Sequence, residues 1–378
     1  MLSMPSISVA GLTLSLLAEA VRGHPFHPPK PCPPLRGTFT IDLFKLYSEN
    51  SDWDPINCKY YAGSLFNATV AVYDPYTKHS QILTFPGISH TDPYQISGVS
   101  FDVHTGSMFF TANSGRGFLS NGQDLSGPNK IVRWDVRKQE VVYIADLGPF
   151  QQEFQNLYSH GIAGFEYAAA DRYGNAYVAA GYGGNGIAKV WNNGSVSALY
   201  YAEKDTDPNL GRFTYTNLAS IPLHDKIIVN DHQLGTFVTF NTSASWSTPT
   251  IIKVSNMPST YNRTGCDSLT TPTRYHGQQI MLCAVDRLGG SGAVTVFQSL
   301  DNWKTAKYLG VVYNTSPLAQ QGVIVVNALQ LSNSIYYVPF FVSDSGNLAL
   351  ELKEGNRTAF PIIDITAEVD NIVKAAGY

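Results

Sequence analysis

The feature that most constrains this chain is a strand-turn-strand pattern that occurs six times. Each copy has two short runs of alternating apolar residues joined by a polar turn, which is typical of a β-hairpin. The copies begin at Thr69, Lys130, Gly186, Gly235, Gly292 and Gly346, at intervals of 49 to 61 residues. A repeat of this length indicates a propeller, a solenoid or an array, and the period-two alternation excludes the helical solenoids.

A second pair of apolar runs precedes each hairpin, for example in residues 98–112 and 162–180, so each repeat contains four strands. Four antiparallel strands make one propeller blade. We therefore predict an all-β fold, a six-bladed β-propeller over residues 38–370 with a C-terminal tail over residues 371–378. Closing the ring requires the strand at 38–43 to pair with the last blade, because pairing removes exposed edges.

The start of the chain differs from the repeats. Residues 7–18 are an apolar run, and Ala18-Glu19-Ala20 has the small-x-small pattern of a cleavage site, so a signal peptide is predicted over residues 1–20. A Pro-rich lead-in follows over residues 21–37. No Lys or Arg precedes the apolar run, and a buried amphipathic segment is the alternative. The run is too short to span a bilayer, so no transmembrane span is expected.

Two further patterns indicate the secretory pathway and a secreted protein. Six glycosylation sequons fall mostly in or beside the predicted turns, at Asn67, Asn193, Asn241, Asn262, Asn314 and Asn356. Four cysteines allow three pairings. Short local loops favour Cys32 with Cys58 and Cys266 with Cys283, which an oxidising compartment would preserve. Reduced, buried thiols are the alternative.

Charge and motifs exclude several function classes. The net charge is -4 and Lys and Arg do not cluster, so nucleic acid is not an expected partner. The sequence contains no HExxH, CxxC, GxxxxGK[ST] or GxSxG motif. Gly181–Gly186 matches GxGxxG, but a strand follows instead of the helix that would hold a dinucleotide, which favours a turn. We expect no cofactor.

Polar residues recur at one point of each repeat, and in a propeller such residues meet at one mouth of the central channel. The predicted catalytic candidates are Asp231, His232, Asp286, Arg287 and His160. The predicted substrate-binding candidates are His90, Tyr94, Asn113, Tyr182, Tyr215, Asp267 and Asn327. Carboxyl and imidazole groups at such a rim can have shifted pKa values and serve as acids and bases. The alternative for each Asp or Asn is an ordinary turn residue.

The stretches Tyr158–Gly184 and Lys226–Asn241, with the aromatic-rich repeats, resemble the fungal six-bladed propeller family that includes a major allergen of a skin yeast and the core trichothecene cluster protein 14. The resemblance covers essentially the whole mature chain and is closer to the trichothecene-cluster member. It implies a role in making or deploying a sesquiterpenoid mycotoxin during plant infection. It transfers no catalytic residues.

Two hypotheses from different classes follow. The first is a cofactor-free enzyme that closes an oxygen heterocycle on a terpenoid polyol with loss of water. Asp286 or Asp231 would be the acid, His232 or His160 the base and Arg287 the orienting cation. The second is a non-catalytic secreted virulence factor that binds a small terpenoid or lipid-like ligand, or a host surface, through the same mouth.

Fold analogy adds a third hypothesis. Other six-bladed propellers host a calcium-dependent lactonase, and Asn113, Asp231 and Asp286 would be the ligands here.

Overall fold

The computed structural model describes residues 31–201, 213–259, 261, 266–345 and 354–378. The predicted signal peptide, the first part of the lead-in, Asn262 and the start of the sixth hairpin lie outside the described residues.

The described strands form antiparallel four-stranded arrangements in which strands consecutive in the chain are neighbours, apart from β1 (Phe39–Asp42), which belongs to the last sheet. The first sheet comprises β2 (Ser51–Asp54), β3 (Lys59–Ser64), β4 (Thr69–Asp74) and β5 (His79–Leu83). The second comprises β6 (Tyr94–Asp102), β7 (Ser107–Ser114), β8 (Lys130–Asp135) and β9 (Glu140–Asp146). The third comprises β10 (Ala168–Ala170), β11 (Ala176–Ala179), β12 (Gly186–Val190) and β13 (Val196–Tyr201).

The fourth sheet has eight strands and consists of two antiparallel halves. One half comprises β14 (Tyr215–Ile221), β15 (Lys226–Asp231), β16 (Thr236–Asn241) and β17 (Thr250–Ser255). The other comprises β18 (Cys266–Thr270), β19 (Ile280–Val285), β20 (Ala293–Gln298) and β21 (Thr305–Tyr313). The halves join through parallel pairing of β17 with β21, in which Lys253 lies opposite Thr305. The sequence analysis predicted six separate sheets. The structure differs because β17 and β21, the outermost strands of two successive repeats, run in the same direction and pair with each other.

The last sheet joins both ends of the described chain. Its strands are β22 (Ile324–Leu331), β23 (Ser334–Phe340), β24 (Ala359–Asp364) and β1. β1 pairs antiparallel with β24, with Phe39 opposite Ile362 and Ile41 opposite Phe360. The predicted pairing of the N-terminal strand with the last repeat is therefore confirmed, as is the all-β fold of four-stranded antiparallel sheets.

Three helices accompany the sheets: α1 (Arg116–Leu119), α2 (Gly148–Tyr158) and α3 (Thr366–Ala375). Within the described part of the chain, no helix is long and apolar enough to cross a membrane. α3 buries Val369 and Val373 against the last two sheets, with Ile372 partly buried beside them. Apolar spacing of three and four residues continues this helix to Ala375, within the predicted C-terminal tail.

The first strands of the four-stranded units contact one another in sequence. β2 contacts β6, β6 contacts β10, and the series continues through β14, β18 and β22 back to β2. Side chains link neighbouring units: backbone N–H groups donate to Asn50 Oδ1 from Val99 (2.9 Å), to Asn217 Oδ1 from Leu269 (2.9 Å) and to Ser268 Oγ from Ala328 (3.1 Å). These bonds satisfy polar groups that packing between units would otherwise leave unpaired.

The structure confirms both predicted disulfides, Cys32–Cys58 and Cys266–Cys283. The sequons differ in accessibility. Asn193, Asn241 and Asn356 are exposed, and Asn67 is half-buried.

Asn314 is only 6% exposed, and its Nδ2 donates to Ser291 O (3.1 Å). Of the sequon asparagines that the structure describes, Asn314 is therefore the least accessible.

The β1–β24 pairing generates a stability prediction. Ile41 is fully buried, whereas the neighbouring Thr40 on the opposite face of β1 is exposed. Ile41→Ala should lower the free energy of unfolding by about 2–5 kcal/mol, because it leaves a cavity where the chain ends join. Thr40→Ala is the matched control and should change it by less than about 0.5 kcal/mol. Urea unfolding measures both, and equal midpoints for the two variants would contradict the closure.

Candidate functional site

Four of the first strands contain a β-bulge at the same place. The register shifts by one residue in β6, β14, β18 and β22, and the extra residues are Ser97, Thr216, Asp267 and Val326. A bulge bends the strand and redirects the side chain of the extra residue. The first strands contact one another in a closed series, and we call the space that this series encloses the channel.

The other two units accommodate an extra residue at the same point. In the first sheet it falls among residues 48–50, which include Glu49. In the third sheet it falls among residues 164–167, which include Glu166. Acidic residues thus occupy this position in alternate units, at Glu49, Glu166 and Asp267.

A fourth acid, Asp286, follows β19 in the same unit as Asp267. We call Glu49, Glu166, Asp267 and Asp286 the channel carboxyl cluster. Each side chain keeps only part of its surface accessible, and each acts electrostatically on other members. Four carboxyl groups from three different sheets are therefore brought together, although more than 200 residues separate Glu49 from Asp267 along the chain.

Burial raises the pKa of all four groups, because a low-dielectric environment disfavours the charged form. Burial and repulsion from Asp286 raise the pKa of Glu166 to about 8. Burial raises the pKa of Asp286 to about 7, while Arg287 and a hydrogen bond with Asp267 oppose the rise. The pKa values of Glu49 and Asp267 lie well above their usual range, through burial and then repulsion from the other carboxylates.

The hydrogen bond between Asp267 and Asp286 requires a shared proton. It contributes to raising the pKa of Asp267 and to lowering that of Asp286. Such a pair titrates as one coupled unit. Asp267 Oδ2 and Asp286 Oδ1 have no hydrogen-bond partner in the described part of the chain. The cluster therefore presents an acid, a base and unpaired acceptor atoms in one place near neutral pH.

Two tyrosines border the cluster. Tyr167 is 4% exposed, and its hydroxyl has no hydrogen-bond partner among the described residues. Burial and then repulsion from all four carboxyl groups raise its pKa, so the phenol stays protonated within electrostatic range of the cluster. Tyr182 is 1% exposed, its ring lies 4.9 Å from that of Phe213, and burial, Glu166 and Glu49 raise its pKa.

Two further candidates from the sequence occupy the position equivalent to Asp286. This position directly follows the second-strand residue that pairs with the residue before the bulge. Asn113 lies opposite Gln95, and its Oδ1 accepts a hydrogen bond from Ser97 Oγ (2.9 Å). His232 is equivalent, with its backbone N–H donating to Thr214 O (2.9 Å) and its ring 5.3 Å from Phe213. The structure thus places Asn113, His232 and Asp286 at the same point of three units.

The remaining catalytic candidates lie outside the cluster. Asp231 is 2% exposed, and its Oδ1 accepts a hydrogen bond from Leu234 N (2.9 Å), so it is a turn residue whose pKa burial raises. His160 follows α2, with its ring 5.5 Å from Phe154. Arg287 is exposed beside Asp286.

Four substrate-binding candidates also lie apart from the carboxyl groups. Tyr215 is a buried core residue whose ring lies 5.9 Å from Phe240. Asn327 Nδ2 donates to Ser51 O (2.8 Å) and links the last unit to the first. Tyr94 lies beneath Lys130 Nζ, 5.3 Å from its ring centre. His90 is exposed in a turn.

Sequence reasoning missed Glu49, Glu166 and Tyr167. It considered the ends of the second strands and the loops that enter the first strands, but did not align the repeats on the bulge. That alignment would have revealed an acid at one position of every second repeat.

Two of the three predicted calcium ligands are already engaged within the chain. Asn113 Oδ1 and Asp231 Oδ1 are engaged by Ser97 and Leu234, respectively. Among the residues that the structure describes, no three His, Cys, Asp or Glu side chains are arranged to hold one metal ion.

The raised pKa values predict pH-dependent stability. Between its ordinary pKa of 4.5 and about 8, Glu166 is protonated in the folded chain and ionised in the unfolded chain. The folded state then binds more protons, so its free energy of unfolding falls as pH rises through this window. The urea midpoint should be lower at pH 9 than at pH 5, and Glu166→Gln should reduce the difference. Glu140→Gln, an exposed control, should not; equal pH dependence in both variants would contradict the burial of Glu166.

Comparisons with known proteins agree with this architecture. Trichothecene biosynthesis protein 14 of Trichoderma arundinaceum is 28% identical over 367 residues, which cover 91% of this chain and 92% of that protein. The core trichothecene cluster protein 14 of Fusarium sporotrichioides is 29% identical over 356 residues, covering 90% and 88%.

Among solved structures, the Malassezia sympodialis allergen Mala s 1 superposes with a TM-score of 0.73, at 20% identity, over 88% of this chain and 96% of that chain. This likeness shows a shared fold. Residues 29–313 match the family described as Mal s 1 allergenic protein-like. Since the match spans most of the sequence, the chain belongs to the Mala s 1-like family.

Proposed function

We propose that this protein is a cofactor-free acid–base enzyme that closes an oxygen heterocycle on a sesquiterpenoid polyol during trichothecene biosynthesis. The observation that carries the proposal is the group of four partly accessible carboxyls from three sheets, in which Asp267 Oδ2 and Asp286 Oδ1 are unpaired among the described residues. The names of the two fungal relatives support the trichothecene association.

The proposed scaffold is a six-bladed propeller. Each half of the eight-stranded sheet would be one blade, and the closed series of contacts between first strands supports this count. In such a ring the channel is the natural binding site, because side chains from all blades converge on it.

The reaction needs a hydroxyl group to attack a carbon that carries a second hydroxyl group. One C–O bond forms, another breaks, and water leaves. The attacking hydroxyl gives its proton to a base, and the departing hydroxyl receives a proton from an acid. No oxidant, reductant or other co-reactant is needed.

The cluster can supply both partners. Asp286, with a pKa of about 7, is largely ionised at slightly alkaline pH and would accept the proton of the attacking hydroxyl. Glu166, with a pKa of about 8, still carries a proton there and would donate to the departing hydroxyl. Asp267 holds Asp286 in place through their hydrogen bond. A positioned acid or base contributes about 10²–10⁴-fold, and orientation in the channel removes about 7–11 kcal/mol of the barrier.

We further propose that the protein follows the secretory pathway and is secreted, with glycans at the exposed Asn193 and Asn241. Both disulfides support this proposal, because disulfides persist in oxidising compartments.

The function predicts specific losses of activity. Purified protein, incubated with the open-chain trichothecene precursor and followed by chromatography, should form the cyclised product faster than buffer does. Asp286→Asn and Glu166→Gln should each reduce the rate by about 10²–10⁴-fold, and the rate should peak between about pH 7 and 8, the pKa values of the two groups. Glu140→Gln is the control for loss of a carboxylate and should retain full activity.

Equal rates of product formation with protein and with buffer would overturn the proposed enzymatic activity. If the precursor still bound, that result would support the alternative, a non-catalytic secreted binder that uses the same channel.

A further inference from the structure

The channel carboxyl cluster has unsatisfied hydrogen-bond acceptors as well as negative charge. Among the residues that the structure describes, Asp267 Oδ2, Asp286 Oδ1 and the Tyr167 hydroxyl have no hydrogen-bond partner. Tyr167 is 4% exposed, so bulk water does not readily compensate its hydroxyl group. An unpaired polar group in such a place costs about 1–3 kcal/mol. The structure retains three such atoms in side chains that interact electrostatically with one another, which indicates that a ligand satisfies them.

The arrangement of charge narrows the ligand class. Glu49, Glu166 and Asp267 project from alternate units, so carboxyl groups approach the channel from different sides instead of forming one acidic face. Burial and then repulsion between these groups raise their pKa values, and a positive charge among them would relieve that repulsion. Among the described residues, Arg287 is an exposed cation that acts on Asp286.

Aromatic surface completes the environment. The ring centres of Tyr182 and Phe213 lie 4.9 Å apart beside the carboxyl groups. Tyr167, the residue after Glu166, also borders the carboxyl groups. Aromatic faces attract organic cations and accommodate an apolar body. We infer that the channel carboxyl cluster, with Tyr167, is a binding site for a small organic cation, namely a protonated amine attached to an apolar ring.

A primary ammonium group has three N–H donors, which matches the three unpaired acceptors. The inference rests on the proposed function for its biological meaning. During ring closure positive charge develops on the carbon that loses its hydroxyl, and the substrate hydroxyls supply donors. A protonated amine on a ring reproduces both features and therefore inhibits the reaction by occupying the same place.

Binding of a cation has a second consequence, the release of protons. The added charge lowers the pKa of Glu166 and Asp286, which lie at about 8 and 7 in the free protein. At pH 7 the site then loses protons as the ligand enters. The groups that face this position are Glu49, Asp267, Tyr167 and Tyr182, with Arg287 at the edge.

The experiment is isothermal titration calorimetry of the full chain at pH 7 with cyclohexylammonium, repeated in two buffers of different ionisation enthalpy. Cyclohexylammonium should bind and release close to one proton per molecule bound. Cyclohexanol, the neutral probe of the same shape, should bind at least tenfold more weakly and release none. Calcium chloride is the third probe and should not displace the amine.

Variants locate the site. Glu166→Gln and Asp286→Asn should each weaken cyclohexylammonium at least tenfold and reduce proton release, and Tyr167→Phe should weaken it several-fold. Glu140→Gln is the control, because Glu140 is exposed on β9 and is not a member of the cluster. This variant should bind cyclohexylammonium as the parent protein does. Near-ultraviolet circular dichroism should show native packing in every variant, and Tyr167→Phe retains the ring.

Several outcomes overturn the inference: no binding of the amine at millimolar concentration, equal binding of cyclohexanol, displacement by calcium, or unchanged binding in Glu166→Gln and Asp286→Asn. Turnover is measured separately. Amine binding without cyclisation would overturn the proposed function alone, whereas cyclisation without amine binding would overturn this inference alone.

Discussion

One extra residue in the first strand of each repeat is the constraint on which the site depends. Without a bulge, side chains of these strands would alternate between the two packed faces of each sheet. The bulge interrupts this alternation, and at Glu49, Glu166 and Asp267 the redirected side chain is an acid. Neighbouring residues keep the sheets packed, as the bond from Leu269 N to Asn217 Oδ1 shows. A scaffold built for packing therefore holds carboxyl groups at close range.

Holding these groups together is unfavourable for the fold and useful for chemistry. Burial and mutual repulsion disfavour the ionised forms, so the cluster is most stable when it keeps protons. The same effect moves the pKa values of Glu166 and Asp286 close to neutral pH, where a protonated acid and an ionised base are both available. The disulfide at Cys266, the residue before Asp267, fixes the bulged strand to its neighbour. Favourable packing elsewhere in the fold offsets the unfavourable free energy of holding these carboxyl groups together.

The repeat pattern predicted most of the fold, because period-two alternation and turn spacing are local properties of the sequence. The strand pairs of the first five hairpins and the closing strand at Phe39–Asp42 follow from it. The parallel joint between β17 and β21 does not, since it depends on how two repeats approach at their outer edges. α3 was missed because its helical spacing follows immediately after a strand.

The candidate site was predicted only in part, for the same reason. Asp267, Asp286 and Tyr182 were identified from their positions near strand ends, and they do meet at the cluster. Asp231 has the same sequence context as Asp286 but lies one register position earlier, where it caps a turn. A shift of one residue reverses the direction of a side chain. Sequence context alone therefore did not separate these two acids.

The most direct test of the account is an NMR titration of the side-chain carboxyl carbons in selectively labelled protein, with Glu166→Gln for assignment. The account predicts that Glu166 titrates with a pKa near 8 and that the Asp267–Asp286 pair titrates in coupled steps, one of them near 7. Ordinary titration of all these groups near pH 4 would mean that they are separated and solvated, and would contradict the central claim.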